Sequence, residues 1–230
     1  MIRVIIVDDH PLIRQGVASI LAGLPDIDVV GQGGSGEEFE ALLHTTQPDV
    51  VVLDLNMPAT AQPCANGAQR RFRALPAIAS ASARYPNTRL LILSQYLDLI
   101  LIEGAAHVGV AGYLLKDDGL TLGLPTAIRK VAGGGVYFSQ AVTQLLKKGK
   151  TAQNGKRPET LTPRELELMR RILEQPSLPL TSHADVLNIS PHTLHTHLKN
   201  IYARLEVNNL TAAVVKLIRA GALDAWDSSA

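Results

Sequence analysis

One cysteine, Cys64, is all that the 230-residue chain contains. A lone thiol excludes an internal disulfide, and with no second thiol nearby it excludes a cysteine-based metal site. Its Pro, Ala and Gln surroundings mark it as an incidental loop residue. No apolar run approaches the ~20 residues that span a bilayer. The N-terminus opens directly on the strand-like stretch Ile2 to Val7, with no basic head or cleavage site. The sequence therefore predicts a cytoplasmic protein with no membrane partner. It also shows no internal repeat.

Charge is scarce overall but unevenly placed. Residues 1–146 hold ten Lys and Arg against thirteen acids, a net of −3, and residues 158–230 hold seven against eight, a net of −1. Between them Lys147, Lys148, Lys150, Lys156 and Arg157 stand without an acid. The stretch "KKGKTAQNGKRPE" has no apolar periodicity and reads as a linker.

On the N-terminal side of the linker, short apolar runs alternate with amphipathic segments. "IRVIIVDD", "IDVVGQGG", "DVVVLDLNMP", "TRLLILSQ" and "AGYLLKDD" are strand candidates, and helical spacing separates them. Five βα units argue for an α/β fold, a parallel sheet covered by helices on both faces. The last of these helices is expected over about Leu124 to Ala132. On the C-terminal side the pattern is purely helical: "TPRELELMRRILEQ", "SHADVLN", "SPHTLHTHLKNIYARL" and "LTAAVVKLIRAGAL". Ser190-Pro191 supplies a cap and a first-turn proline to the third.

The first strand ends on Asp8 and Asp9, and the third on Asp54. In a 2-1-3-4-5 sheet these two strands are neighbours, and ligands bind beyond their C-terminal ends. Three clustered carboxylates repel one another, and a hard divalent cation such as Mg²⁺ relieves that repulsion. Ser94 ends the fourth strand and Lys116 the fifth. A hydroxyl and an ammonium converging on an Asp–metal site suit the equatorial oxygens of a transferred phosphoryl group. Asp54 is then the nucleophile.

"VIIVDDHPLIRQGV", "VVVLDLNMP", "LILS" and "GYLLKDD" resemble the receiver domain of two-component response regulators, the NarL/FixJ type above all. The resemblance covers nearly all of residues 1–140 and implies a flavodoxin-like five-stranded sheet. It implies a Mg²⁺ site from Asp8, Asp9, Asp54 and the Asn56 backbone carbonyl, and Asp54 as phosphoacceptor with Ser94 and Lys116 holding the phosphoryl group. Tyr113 matches the family's switch aromatic. One departure stands out: the segment "ATAQPCANGAQRRFRALPAIASASARYP" after Asp54 is about ten residues longer than usual, and its nearest later glycine is Gly67.

The helical part resembles the LuxR-type helix-turn-helix domain, with "ISPHTLHTHLKNIYARL" as the recognition segment. Leu194, Leu198, Ile201 and Leu205 form an inward stripe on a helical period. His192, His195, Thr196 and Lys199 fall outside it, and the resemblance puts the last three at base-facing positions. His197 matches a structural histidine. Here too there are departures: His195 replaces a lysine, "PSLPLTS" replaces a glycine-and-basic segment, His183 takes an apolar position, and Leu210 replaces an arginine.

The chain is thus expected to divide into a receiver (residues 1–140), a linker (141–158) and an all-α four-helix helix-turn-helix domain (159–224). The expected function is transcriptional regulation. The receiver accepts phosphate on Asp54 from a histidine kinase with Mg²⁺, and the phosphate controls homodimerisation and binding to DNA. The receiver is expected to catalyse only its own phosphorylation and dephosphorylation, so the chain is not expected to be an enzyme otherwise. A phosphorylation-gated protein-interaction module is the alternative. A phosphohydrolase with an Asp nucleophile is disfavoured, because Asn56 stands where that chemistry has its second acid.

Overall fold

The computed structural model describes residues 1–62, 70–148, 161–174 and 182–223. Cys64, Gly67, Lys150, Lys156, Arg157 and residues 175–181 lie outside them.

Strands β1 (Ile2–Val7), β2 (Ile27–Gly33), β3 (Val50–Leu53), β4 (Arg89–Ser94), β5 (Gly112–Leu115) and β6 (Tyr137–Phe138) form one sheet in the order β2-β1-β3-β4-β5-β6. Every pairing is parallel. The expected order of five strands is present, and a two-residue sixth strand extends it. β6 arises because Tyr137 and Phe138 pair with Gly112 and Tyr113, burying two aromatic rings against the sheet edge. β3 is buried at every residue, as its unbroken Val-Val-Val-Leu run requires of a strand covered on both sides.

The helices are α1 (Pro11–Ala22), α2 (Gly36–Thr46), α3 (Ala74–Arg84), α4 (Leu99–His107), α5 (Leu120–Ala132) and α6 (Gln140–Lys148). α1 and α5 cover one face through Val17, Leu21, Leu124 and Ile128. The other face carries α2, α3 and α4 through Phe39, Leu43, Ile78 and Ile102. Ser35 caps α2 by accepting from the Glu38 backbone N–H at 3.2 Å, while Glu38 reaches back to the Gly34 N–H at 2.5 Å. Asp98 caps α4 through the N–H groups of Ile100 and Leu101. α5 starts earlier than its apolar spacing suggests and takes Pro125 into its interior.

α6 falls where the sequence predicts the start of the linker. Val142, Thr143 and Leu146 form a buried face on it, so apolar burial wins over the basic character of Lys147 and Lys148 at its end.

The C-terminal helices are α7 (Pro163–Glu174), α8 (Ser182–Val186), α9 (Pro191–Arg204) and α10 (Leu210–Arg219). Thr162 and Glu165 form a reciprocal cap for α7: each side chain accepts from the other's backbone N–H, at 2.8 and 3.3 Å. Ser190 caps α9 by accepting from the Thr193 N–H at 3.0 Å. Leu194, Leu198, Ile201 and Leu205 are all buried, as the period predicts. His183 is buried as well, in the place of an apolar residue.

α10 packs on α4 and α6 as well as on α9. Arg219 pairs with Glu103 of α4. The Asn209 side-chain amide donates to the carbonyls of Ala106 and His107 at the end of α4, at 3.0 and 3.3 Å. The Ala106 carbonyl already accepts from the Gly109 N–H at 3.1 Å, and the Asn209 amide adds a donor from another element at this helix end.

Candidate functional site

The β1–β3 register sets the site. Val7 lies opposite Leu53, so the next residues, Asp8 and Asp54, leave the sheet side by side. The Asp54 N–H donates to the Val7 carbonyl at 2.8 Å and fixes this alignment. Both carboxylates are buried, at 2% and 5% exposure. Burying two acids together is costly unless a cation joins them.

Lys116 is that cation. Its N–H donates to the Ser94 carbonyl at 2.8 Å where β5 leaves the sheet. Its Nζ lies 2.5 Å from Asp8 Oδ2 and 3.0 Å from Asp54 Oδ2. Burial opposes the ammonium more than any other single influence. The hydrogen bond to Asp8, the charge of Asp54, the hydrogen bond to Asp54 and the charge of Asp8 outweigh it together and hold Lys116 above its ordinary pKa. Lys116 therefore stays charged at neutral pH.

Asp9 stands at the mouth of the site, where His10 Nδ1 approaches its Oδ1 to 2.7 Å. The His10 N–H donates to Asp8 Oδ1 at 2.9 Å, and Arg14 Nη1 donates to the Asp8 carbonyl at 2.5 Å. Asp8, Asp9, His10 and Asp54 each offer one ligand atom, and these atoms lie within 4.8 Å of one another. Three carboxylates with one cationic lysine leave net negative charge at the strand ends. Such an oxygen-rich donor set fits a hard divalent cation. Asn56 adds a backbone contact, its N–H lying 3.4 Å from Asp54 Oδ1. His10 is not among the residues that the strand-end pattern picks out; its position directly after two acids is the signal.

Ser94 is fully buried, and its Oγ accepts from the Tyr96 N–H at 3.1 Å. It makes no hydrogen bond to Asp54 and instead serves the β4–α4 loop, together with Tyr113. Tyr113 is buried, and its hydroxyl donates to the Tyr96 carbonyl at 2.7 Å. Burial pushes the Tyr113 phenol above its usual pKa, the charges of Asp98 and Asp54 push the same way, and a hydrogen bond with Ser94 opposes them.

The second cluster lies on α9. His192, His195, Thr196 and Lys199 are all exposed there, on the side away from the buried stripe. The Thr196 hydroxyl donates to the His192 carbonyl at 2.9 Å, which orients one member of the set. His197 is partly buried, facing Arg164, Leu168, Leu187 and Ile189 of the domain interior. That placement suits a structural role.

Residues 4–121 match the response regulator receiver domain family, and residues 159–217 match the luxR family of bacterial regulatory proteins. The chain belongs to the response regulators that join a receiver to a LuxR-type helix-turn-helix domain. It is a transcriptional regulator of the NarL/FixJ type. It is similar to the transcriptional regulatory protein DegU of Brevibacillus brevis, with 32% identity over 96% of this chain and 94% of that one. The transcriptional regulatory protein MctR of Rhizobium johnstonii is also 32% identical, over 94% of this chain and 92% of that one. Among solved structures, the RcsB response regulator of Salmonella typhimurium superposes with a TM-score of 0.55 and 25% identity, covering 93% of this chain and 96% of its own. No helix among the described residues is long and apolar enough to cross a membrane.

Proposed function

We propose that this response regulator accepts a phosphoryl group on Asp54 from a histidine kinase and thereby releases its helix-turn-helix domain for DNA binding as a homodimer. The carrying observation is the buried pair of Asp8 and Asp54 joined by Lys116, at the C-terminal end of a parallel sheet. An Asp54 oxygen attacks phosphorus, the P–N bond to the donor imidazole breaks, and the imidazole leaves with the electron pair. Lys116 and Ser94 then bind oxygens of the acyl phosphate. Asp8, Asp9, Asp54 and the Asn56 carbonyl would hold Mg²⁺, which offsets charge between the carboxylates and the incoming phosphoryl group.

Transmission runs through side chains already in contact. Ser94 and Tyr113 both hold the Tyr96 backbone at the start of the β4–α4 loop. Drawing Ser94 toward a phosphoryl oxygen repositions that loop and α4. α4 carries Glu103 and the carbonyls that Asn209 engages, so its movement loosens α10. α10 is apolar enough to serve as the dimer face, and here the receiver covers part of it. His192, His195, Thr196 and Lys199 are the proposed DNA-facing set. The proposed division is a receiver over residues 1–140, a connection over 141–158 that begins within α6, and the DNA-binding domain over 159–224, in a cytoplasmic protein.

The test is labelling with phosphoramidate and Mg²⁺. One base-labile phosphate is expected on the wild type and none on Asp54→Asn. Stoichiometric phosphate on Asp54→Asn would overturn the assignment.

A further inference from the structure

The long segment after Asp54 carries chemistry that phosphoryl transfer itself does not use. Between Asp54 and Asp98 the chain contains no acidic residue, yet it holds Arg70, Arg71 and Arg73 within four positions. All three are exposed. Among the described residues, none of the three guanidinium groups finds an ion-pair or hydrogen-bond partner.

These arginines are not on a loose loop end. Arg71 pairs with Pro58 in an antiparallel bridge. The Ala59 N–H donates to the Arg70 carbonyl at 2.7 Å, and the Phe72 N–H donates to the Met57 carbonyl at 3.0 Å. Phe72 packs edge-on against Phe39, with centroids 5.8 Å apart. It also fills the space above Gly36, where an added Cβ would collide with the ring. With Phe72 turned inward, extended geometry turns its neighbours Arg71 and Arg73 outward. Glu37 of the adjoining α2 donates its backbone N–H to the Ala59 carbonyl, and its carboxylate forms no ion pair with the arginines.

The location decides what the cations are for. Pro58 is four residues past Asp54, on the same rim of the sheet. Asp54 is buried, so a protein that delivers a phosphoryl group to it must cover this rim. A small phosphodonor need not. Three exposed cations close together in the chain, with no acidic partner among the described residues, carry more positive charge than a single small anion needs and suit an acidic protein surface. We infer that Arg70, Arg71 and Arg73 form a docking surface for an acidic face of the protein phosphodonor. This rests on the proposed role of Asp54. Peripheral charges of this kind act mainly on association rate and salt dependence, over a screening length of about 8 Å at physiological salt.

The experiment compares full-length wild type with Arg70→Gln/Arg71→Gln/Arg73→Gln and with the corresponding triple lysine variant. The donors are phosphoramidate and the autophosphorylated soluble core of whichever histidine kinase from the source cell labels wild type fastest. For the glutamine variant the apparent KM for the kinase core should rise at least fivefold, with maximal rate and phosphoramidate labelling within twofold of wild type. The lysine variant should stay near wild type, and the wild-type KM should climb with salt more steeply than the glutamine variant's. An unchanged KM in the glutamine variant would overturn the inference. An unchanged KM accompanied by weaker DNA binding would assign the three arginines to nucleic acid instead. Failure of phosphoramidate to label wild-type Asp54 would overturn the phosphoacceptor reading on which the docking rests.

Discussion

Tyr113 donates its hydroxyl to the Tyr96 carbonyl across 2.7 Å, tying the buried centre of β5 to the first turn of the β4–α4 loop. Ser94 holds the same residue from its other polar group, the N–H. Ser94 and Tyr113 thus grip one peptide segment, and that segment leads into α4. Tyr113→Phe removes one grip with little change in volume. It should lower stability by about 1 kcal/mol, read by urea unfolding, and should leave phosphoramidate labelling of Asp54 intact. The phosphorylation-dependent gain in DNA binding should shrink. A full gain in Tyr113→Phe would remove this tyrosine from the relay.

Glu103 and Arg219 bridge the two halves of the protein with partly exposed side chains. Such a pair contributes on the order of 1 kcal/mol at most. Arg219→Ala should raise the DNA affinity of the unphosphorylated protein about two- to fivefold. Exchanging the pair, Glu103→Arg with Arg219→Glu, should return it toward the wild-type value. The check is fluorescence anisotropy without phosphodonor, and equal basal affinity in all three proteins would mean that the pair does not restrain α10.

Much of this arrangement was legible in the sequence, because strand runs and strand-end residues are local signals. Asp8, Asp54 and Lys116 each come directly after a continuous apolar run, and parallel pairing alone brings them together. The buried stripe of α9 was equally plain, since a helix repeats its faces every few residues. Contacts between distant segments left no such trace. Nothing in "LTAAVVKLIRAGAL" announces that Asn209 caps α10 with its side-chain oxygen while its amide bonds to α4. Gly36 and Phe72 are far apart in the chain, and their fit becomes visible only when the long segment has folded back onto α2. α6 was hidden by the lysines that end it.

Tyr202 offers a pH test of the α9 packing. Burial pushes its phenol up to about 12, against a smaller opposing influence from the Arg89 charge. A phenol with a raised folded pKa stabilises the fold fully below its unfolded value of about 10. That contribution is lost as pH climbs from there through about 12. Absorbance at 295 nm should show late tyrosinate ionisation whose amplitude Tyr202→Phe reduces while the contribution of Tyr113 remains, with a smaller loss of stability in alkali for the variant. Ionisation of every tyrosine near pH 10 would contradict the buried placement.

Lys199 and His195 project from α9 into solvent. Lys199→Ala should weaken specific DNA binding by about 1–3 kcal/mol if the ammonium reads a base edge. If it meets only phosphate, binding should fall across all sequences and the salt slope should drop by about one. His195→Gln should weaken specific binding as well, because its ring stands exposed on the same face of α9. Anisotropy on a footprinted site at fixed salt reads both. Unchanged affinity in both variants would favour the protein-interaction alternative.

Phosphate on Asp54 is proposed to free a DNA-binding domain that rests against α4. Anisotropy titration of a footprinted DNA site, with and without phosphoramidate and Mg²⁺, tests this most directly in wild type and Asp54→Asn. Wild-type affinity should rise tenfold or more on phosphorylation, while Asp54→Asn should remain at the basal value under both conditions. An equal rise in Asp54→Asn, or a fully phosphorylated wild type with unchanged affinity, would contradict it.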